Sequence, residues 1–492
     1  MITSLMHWLD AKRLEFSALS AAGKAIRVIK HASWIAALIT IVGDSVDIWE
    51  KWQALTAAPV TFEAVVQFVA ANGRVILFLA ISLVSWMIDM RMSKSILQEI
   101  QAHDFYGIER FSDIVGRLNK QEESVDGRVD KLDHNAGWTH PATNKQLILR
   151  VGAGRPVKFS IKEGTWLAYD PSERSAESRG RQLLRFVVAR AVEARQRVFN
   201  GRKVRMCCDL NEGLISGVII QQTDYLSSMM TDGLAFQHVS SLSDRVEYSD
   251  GWSYFLYCIK GSFRLRSLAD TESSNQLGAS TLAFTRDGYL MLVYQTRRNA
   301  HSGGKIAPSG SGSLDWEDVT AVTSGDFLDV VRRGAARELI EESGLEGHRD
   351  FAVDVVASEY VLPYAFSRII RRAGKPEFFC LGYLPLTIEE LVRYKPKRRE
   401  LIYTVKSFAS RVARFDRNRD PRAELERICD HYSQTDQMFP IANIAERFAL
   451  SYQVMHGLAL LREALQDKES AAIILSFIRR HFAIENSPNA PG

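Results

Sequence analysis

Glu338, Glu341 and Glu342 lie at spacings i, i+3 and i+4 within a run, Ala336–Leu345, that reads ARELIEESGL. Side chains so spaced share one face of a helix. Three carboxylates this close repel one another unless a cation sits among them. Hard oxygen donors select Mg2+ or Mn2+, and magnesium keeps positions open for water and substrate phosphates. An ion there would polarise a phosphoryl oxygen, lower the pKa of a bound water and stabilise a leaving phosphate. Arg337, four residues before Glu341, is placed to hold a carboxylate in one orientation. Gly344 suits a left-handed helix C-cap, where the chain turns sharply. A solvated acidic helix face has the same spacing, and these three residues alone do not exclude it.

The elements that must position this face are legible upstream. Thr281–Phe284 and Tyr289–Thr296 read as two strands, with Asp287-Gly288 as the hairpin signal between them. A loop rich in glycine and serine follows, Gly303 to Ser313, which includes Gly310 and Gly312. Its backbone N–H groups offer close approach to small phosphates, although a plain connector has the same composition. A helical stretch, Asp326–Leu345, then carries the acidic face. Arg297, Arg298 and Lys305 flank the loop, and Arg371, Arg372 and Lys375 lie further on. Each is a candidate phosphate contact, weighed against ordinary surface charge.

Arg337, Glu338, Leu339, Glu341, Glu342, Gly344 and Leu345 match the end of the Nudix box, R-E-U-x-E-E-x-G-U with U a bulky apolar residue. The chain over 278–390 therefore resembles a Nudix hydrolase. Two positions depart from that pattern. The box's first glutamate is Asp329 here, and its first glycine falls on Thr323. An insertion, Leu314–Ser324, separates the glycine-rich loop from the helix.

The resemblance implies an α/β class, an α/β/α sandwich with a mixed sheet. It implies hydrolysis of a diphosphate linkage in a nucleoside diphosphate conjugate, such as an ADP-sugar or a dinucleotide, with Mg2+ or Mn2+. Glu338, Glu341 and Arg337 would be the catalytic residues, and Glu338, Glu341 and Glu342 the metal ligands. A further acidic residue from outside the box often joins the metals in this family, with Glu359 and Glu377 as candidates and Glu377 the one chosen. Arg298, Lys305, Gly310 and Gly312 would contact the substrate.

Composition sets the wider frame. Of 492 residues, 46% are apolar and 24% charged, as in an ordinary folded protein. Lys and Arg total 62 against 58 acidic residues, for a net charge of +4. That balance, without a concentrated basic groove, argues against a nucleic-acid partner. The five cysteines show no metal-ligand spacing and read as reduced structural thiols, including the adjacent Cys207 and Cys208.

The first hundred residues read differently. Ala32–Trp49 and Val75–Ile88 are apolar runs near the length of a bilayer span, which needs about 20 residues. Trp34, Trp49, Trp52 and Trp86 lie at or near their ends. Lys12, Arg13, Lys24, Arg27 and Lys30 precede the first run, and Arg91 and Lys94 follow the second. The pattern predicts a helical hairpin over 1–92 in contact with membrane lipid, inner or plasma membrane, with the remainder cytoplasmic. A buried helix pair is the alternative.

Residues 93–145 then read as an amphipathic helical linker, with a hinge over His134–Thr143. Residues 146–277 read as an accessory α/β region. Its expected strands are Leu147–Val151, Val157–Ile161, Val204–Leu210, Leu214–Gln222 and Trp252–Ile259, around an arginine-rich helix over Arg179–Val198. Residues 391–492 read as a helical C-terminal region, with an apolar stripe from Ile444 to Leu461 continued over Ile473–Phe482. That stripe suits a cap on the core or a homo-oligomer surface. Two further functional readings stand beside hydrolysis. One is a catalytically inactive Nudix-fold nucleotide sensor controlling the membrane segment, an arrangement similar to effectors of antiviral signalling. The other is a scaffold, which leaves the clustered glutamates unexplained.

Overall fold

The computed structural model describes residues 77, 80–85, 87–88, 91, 100–104, 130–131, 138–139, 141–172, 178–193, 200–241, 247–259, 262–295, 305–369, 372–391, 393–394, 404–410, 415–433, 439–440, 447–448 and 450–482. The chain divides into two compact units. One comprises Met1–Gln101, Tyr169–Asn200 and Ser240–Tyr248, and the other the remaining residues.

In the first unit, Leu77, 80–85, Met87, Ile88 and Arg91 are helical, and Leu77, Leu83 and Met87 are more than half exposed. No helix among the described residues is long and apolar enough to cross a membrane. The run Ala32–Trp49 lies outside the described residues, so the expected hairpin has no structural support here. The arginine-rich helix is present over Arg179–Glu193, with Leu183, Leu184, Phe186, Val187 and Val188 buried and Arg190 exposed.

The second unit opens with local corrections. Pro141 lacks an amide proton and starts a helix without losing a hydrogen bond, and α1 runs Pro141–Gly152. The run Leu147–Val151, expected as a strand, lies in the C-terminal half of that helix. A five-residue apolar run does not distinguish the two periods. Ile100–Asp104, expected in a helix, is a strand.

An accessory sheet follows, built from β1 (Phe159–Thr165), β2 (Arg202–Met206) and β3 (Val218–Asp224). β3 lies in the centre, parallel to β1 and antiparallel to β2. The expected strand Leu214–Gln222 is two elements, helix α2 (Leu210–Ser216) and then β3. Gly217 between them takes φ +108, a left-handed turn that ends the helix. Helix α3 (Tyr225–Met230) comes next, capped by the Asp224 side chain. A hairpin of β4 (Leu256–Ile259) and β5 (Ser262–Leu265) completes this region.

The central sheet is mixed and has nine strands among the described residues. Its core is β6 (Gly278–Thr285), buried along its whole length. The Asp287-Gly288 turn returns the chain as antiparallel β7 (Leu290–Gln295). The glycine-rich segment supplies β8 (Ile306–Pro308) and β9 (Ser311–Ser313), which pair with β7 and β6 respectively. Helices α4 (Trp316–Thr320), α5 (Phe327–Ser343) and α6 (Val353–Tyr360) follow. β10 (Val361–Ile369) and β11 (Lys375–Leu384) then form an antiparallel pair, and β11 runs parallel to β6.

The sheet reaches beyond 278–390 at both edges. Trp138–Thr139 adds to β10, and β12 (Thr404–Ser410) adds to β7. The C-terminal region is therefore not wholly helical. Arg447–Phe448, expected within a helical stripe, is a short strand paired with Phe439–Pro440. Among the described residues this region has helices α7 (Pro421–Ser433), α8 (Tyr452–Gln466) and α9 (Lys468–Phe482).

Alternation along the strands sorts side chains to two faces. Ala279, Ala283, Phe378 and Cys380 share a core with Phe327, Val331 and Leu339 of α5. Leu282, Phe284, Phe379 and Leu381 share another with Val454, Leu458 and Leu461 of α8 and with Ile474 and Ile478 of α9. Helices thus cover both faces, and each fully buried Leu or Phe stabilises the fold by about 1.5–3 kcal/mol. Cys207, Cys208, Cys380 and Cys429 are buried and free of disulfides, as expected of structural thiols.

Candidate active site

Helix α5 begins at Asp326, whose side chain accepts from the Leu328 N–H, and ends at Gly344, in the left-handed conformation at φ 77. Leu339 and Ile340 face the sheet, and this turns Glu338 and Glu341 towards the rim. Arg337 is the hub of the region. Its Nη1 lies 2.9 Å from Glu338 Oε1, 3.4 Å from Asp315 Oδ2 and 3.6 Å from Glu341 Oε2. Its Nε donates to Asp318 Oδ1 at 3.2 Å, and its Nη2 reaches Asp318 Oδ2 at 3.1 Å and the Ser313 carbonyl at 3.2 Å. Burial opposes the charge on Arg337. The carboxylates of Glu338, Asp315, Asp318 and Glu341 outweigh it and hold the guanidinium well above its ordinary pKa.

Asp315 and Asp318 come from the segment that sequence comparison with the box treats as an insertion. Asp315 caps α4, and its own N–H donates to Asp318 Oδ2 at 2.9 Å, a reciprocal capping box. Lys203 of β2 hydrogen-bonds to Asp315. Burial pulls the Lys203 ammonium down, but Asp315 prevails and its pKa is raised. The Asp-x-x-Asp pattern at a helix start was the available signal for the two aspartates. Lys203 had none, because a tertiary bridge brings it in.

The other expected site residues are distributed as follows. Glu342 is buried and turned inward, accepting from the Gly310 N–H at 2.5 Å and the Ser311 N–H at 3.4 Å. Gly310 takes φ +102, and a Cβ there would lie 3.2 Å from the Leu339 backbone nitrogen. Gly312 lies where any side chain would overlap the Glu338 carboxylate. Both glycines therefore serve the close approach of β9 to α5, and the Gly310 N–H, expected to meet phosphate, is occupied by Glu342. Lys305 is exposed at the start of β8. Arg298 lies outside the described residues.

Asp329 stands two and a half turns from Glu338, bonded to Ser324 at 2.7 Å and Arg332 at 2.6 Å, so it does not join the glutamates. Glu359 is exposed near the end of α6. Glu377, the chosen outside ligand, is likewise not brought to the box. It alternates with Phe378 and so faces α8, where the Tyr452 hydroxyl donates to it at 3.2 Å, while Ser280 donates at 2.5 Å.

Among the described residues no three carboxylate, imidazole or thiolate groups converge on one point ready to hold a metal. The chemistry of the donor set nevertheless fits a hard divalent cation. Glu338 and Glu341 offer carboxylate oxygens on one rim, with side chains 16% and 21% exposed. No family model matches the chain, and no curated protein matches it.

Proposed function

We propose that the chain is a Nudix-type hydrolase that cleaves a diphosphate linkage in a nucleotide-derived small molecule, using Mg2+ or Mn2+ held by Glu338 and Glu341. The observation that carries this reading is the gathering of Glu338, Glu341, Asp315 and Asp318 around one arginine at the accessible end of α5. Arg337 fixes the orientation of both rim glutamates. Glu342 ties the β8–β9 turn to the helix and so sets the distance between Gly312 and Glu338. Glu341, the more loosely held by Arg337, is suited to accept a proton from an attacking water. The metal, when bound, supplies charge for the phosphoryl oxygens and a more acidic water.

A nucleotide sensor without turnover is the second reading. The inward turn of Glu342 and the hold of Arg337 on the rim carboxylates favour it, since both leave fewer oxygens for a cation. Attachment to membrane lipid through residues 1–92 belongs to either reading and rests on the apolar runs alone.

Product analysis separates the two. The protein is incubated with ADP-ribose, NAD and a dinucleotide polyphosphate, with and without magnesium, and mononucleotide release is followed. A hydrolase releases mononucleotide only with the metal, and Glu341→Gln abolishes release. A sensor binds one of these compounds and returns it intact.

A further inference from the structure

On the α8 face of the sheet a second charged cluster is assembled, and nothing in the proposed hydrolysis uses it. Glu377 Oε2 is its central acceptor, and three donors crowd onto that single oxygen. Tyr452 reaches it at 3.2 Å, Lys375 Nζ at 3.6 Å and Arg372 Nη1 at 3.9 Å. The last two exceed hydrogen-bond length. The other carboxylate oxygen is already bonded to Ser280. Lys375 has one further acceptor, Ser313 Oγ, at 3.4 Å.

The side chains of Lys375 and Glu377 are only 2% and 3% exposed, and that of Arg372 only 13%. Arg372 Nε is buried with no acceptor among the described residues. His456, also buried, bonds Ser367 Oγ at 2.9 Å and leaves Nδ1 without a partner among the described residues. A guanidinium carries five N–H donors and an ammonium three. Buried donors left without acceptors are expensive, and charged ones more so. Arg372 also hydrogen-bonds the Tyr452 oxygen and, like Lys375, feels the Asp232 carboxylate, yet its Nε keeps no acceptor among the described residues.

We infer that Arg372 and Lys375 form a site for a compact phosphate-class oxyanion on the sheet face opposite the acidic box. A planar guanidinium beside an ammonium suits an oxyanion, which returns several acceptor oxygens from one small body. Burial first, and Arg372 second, push Lys375 down to about 8 despite Glu377 and Asp232, so the ammonium is under strain that an added anion relieves. Burial raises the Asp232 carboxyl from its ordinary value, against hydrogen bonds from Ser274 and Ser228 and the charge of Arg372. The anion is either free phosphate or the phosphate group of a nucleotide. The site does not depend on the hydrolase reading.

The test is equilibrium dialysis of the full chain against labelled inorganic phosphate, in EDTA and at constant ionic strength set with chloride. A parallel arm uses AMP to distinguish free phosphate from a phosphomonoester. EDTA keeps a metal at the acidic box out of the measurement, so an inactive box leaves the result unchanged. The parent chain should bind one equivalent. Arg372→Gln should weaken binding by about tenfold or more, the scale of a lost charge-assisted hydrogen bond. Glu377→Gln removes the competing anion and should tighten it. Absence of bound phosphate and AMP at millimolar concentration would overturn the assignment. So would binding untouched by Arg372→Gln and Glu377→Gln, or acetate bound as tightly as phosphate.

Discussion

On the α5 face of the central sheet the charged groups come mostly from adjacent turns of one helix and stand at a partly open rim. On the α8 face they come from β11, α8 and the turn before β11, and most lie inside the protein. At the rim one arginine serves several carboxylates. In the interior Glu377 meets two cations and a tyrosine, with Asp232 as a second carboxylate near the cations. The first arrangement offers anionic oxygens outward, as a cation site requires. The second offers N–H donors inward, as an anion site requires.

Removing the hub should have the largest effect. Arg337→Met leaves Asp318, 2% exposed, without its cation. Breaking a buried pair in this way costs on the order of 3–5 kcal/mol. Denaturant unfolding should show the loss, and an unchanged midpoint would mean that the carboxylates do not depend on Arg337. Gly310→Ala should come next. It forces a side chain into φ +102 and against the Leu339 backbone, at about 1–3 kcal/mol. The same change at Gly154, also left-handed but open, should cost less, and equal losses would remove the close approach of β9 to α5 from the account.

The interior face should register acid. Burial lowers His456 to about 3 from its ordinary 6.5, so the folded imidazole is neutral where the unfolded chain takes up a proton. Stability is then lost as pH falls from 6.5 towards 3, with a limiting slope of about 1.4 kcal/mol per pH unit from this group. His456→Asn should flatten the profile in that window. An identical pH dependence in parent and variant would place the acid sensitivity elsewhere. The smallest effect is expected at Asp329, in the first turn of α5, bonded to Arg332 and 39% exposed. Asp329→Asn should cost about 0.3–1 kcal/mol through the helix dipole and should leave any turnover intact. A large loss of turnover would return this position to the site.

The contrast between the faces also explains what could be read in advance. Glu338, Glu341 and Glu342 share a helix, so their spacing in sequence is their spacing in space, and the cap at Gly344 is equally local. Asp315 and Asp318 were legible only as a helix start, because their partner Arg337 lies 19 residues on from Asp318. Arg372, Lys375 and Glu377 are near one another in sequence, yet their joint burial depends on Tyr452, 75 residues beyond Glu377. The missed elements follow the same rule. Leu147–Val151 was too short for its period to decide helix from strand. β12 was missed because a strand at the edge of a sheet is defined by its neighbour, here β7.

Turnover is the readout closest to the chemistry proposed for the rim of α5. The full chain, with magnesium, is assayed on ADP-ribose, NAD and a dinucleotide polyphosphate, beside Glu341→Gln of confirmed fold. Magnesium-dependent mononucleotide release is expected from at least one of them, reduced on the order of 100-fold or more in the variant. Release by Glu341→Gln at the parent rate, or nucleotide release from RNA or DNA with none from these conjugates, would contradict that chemistry.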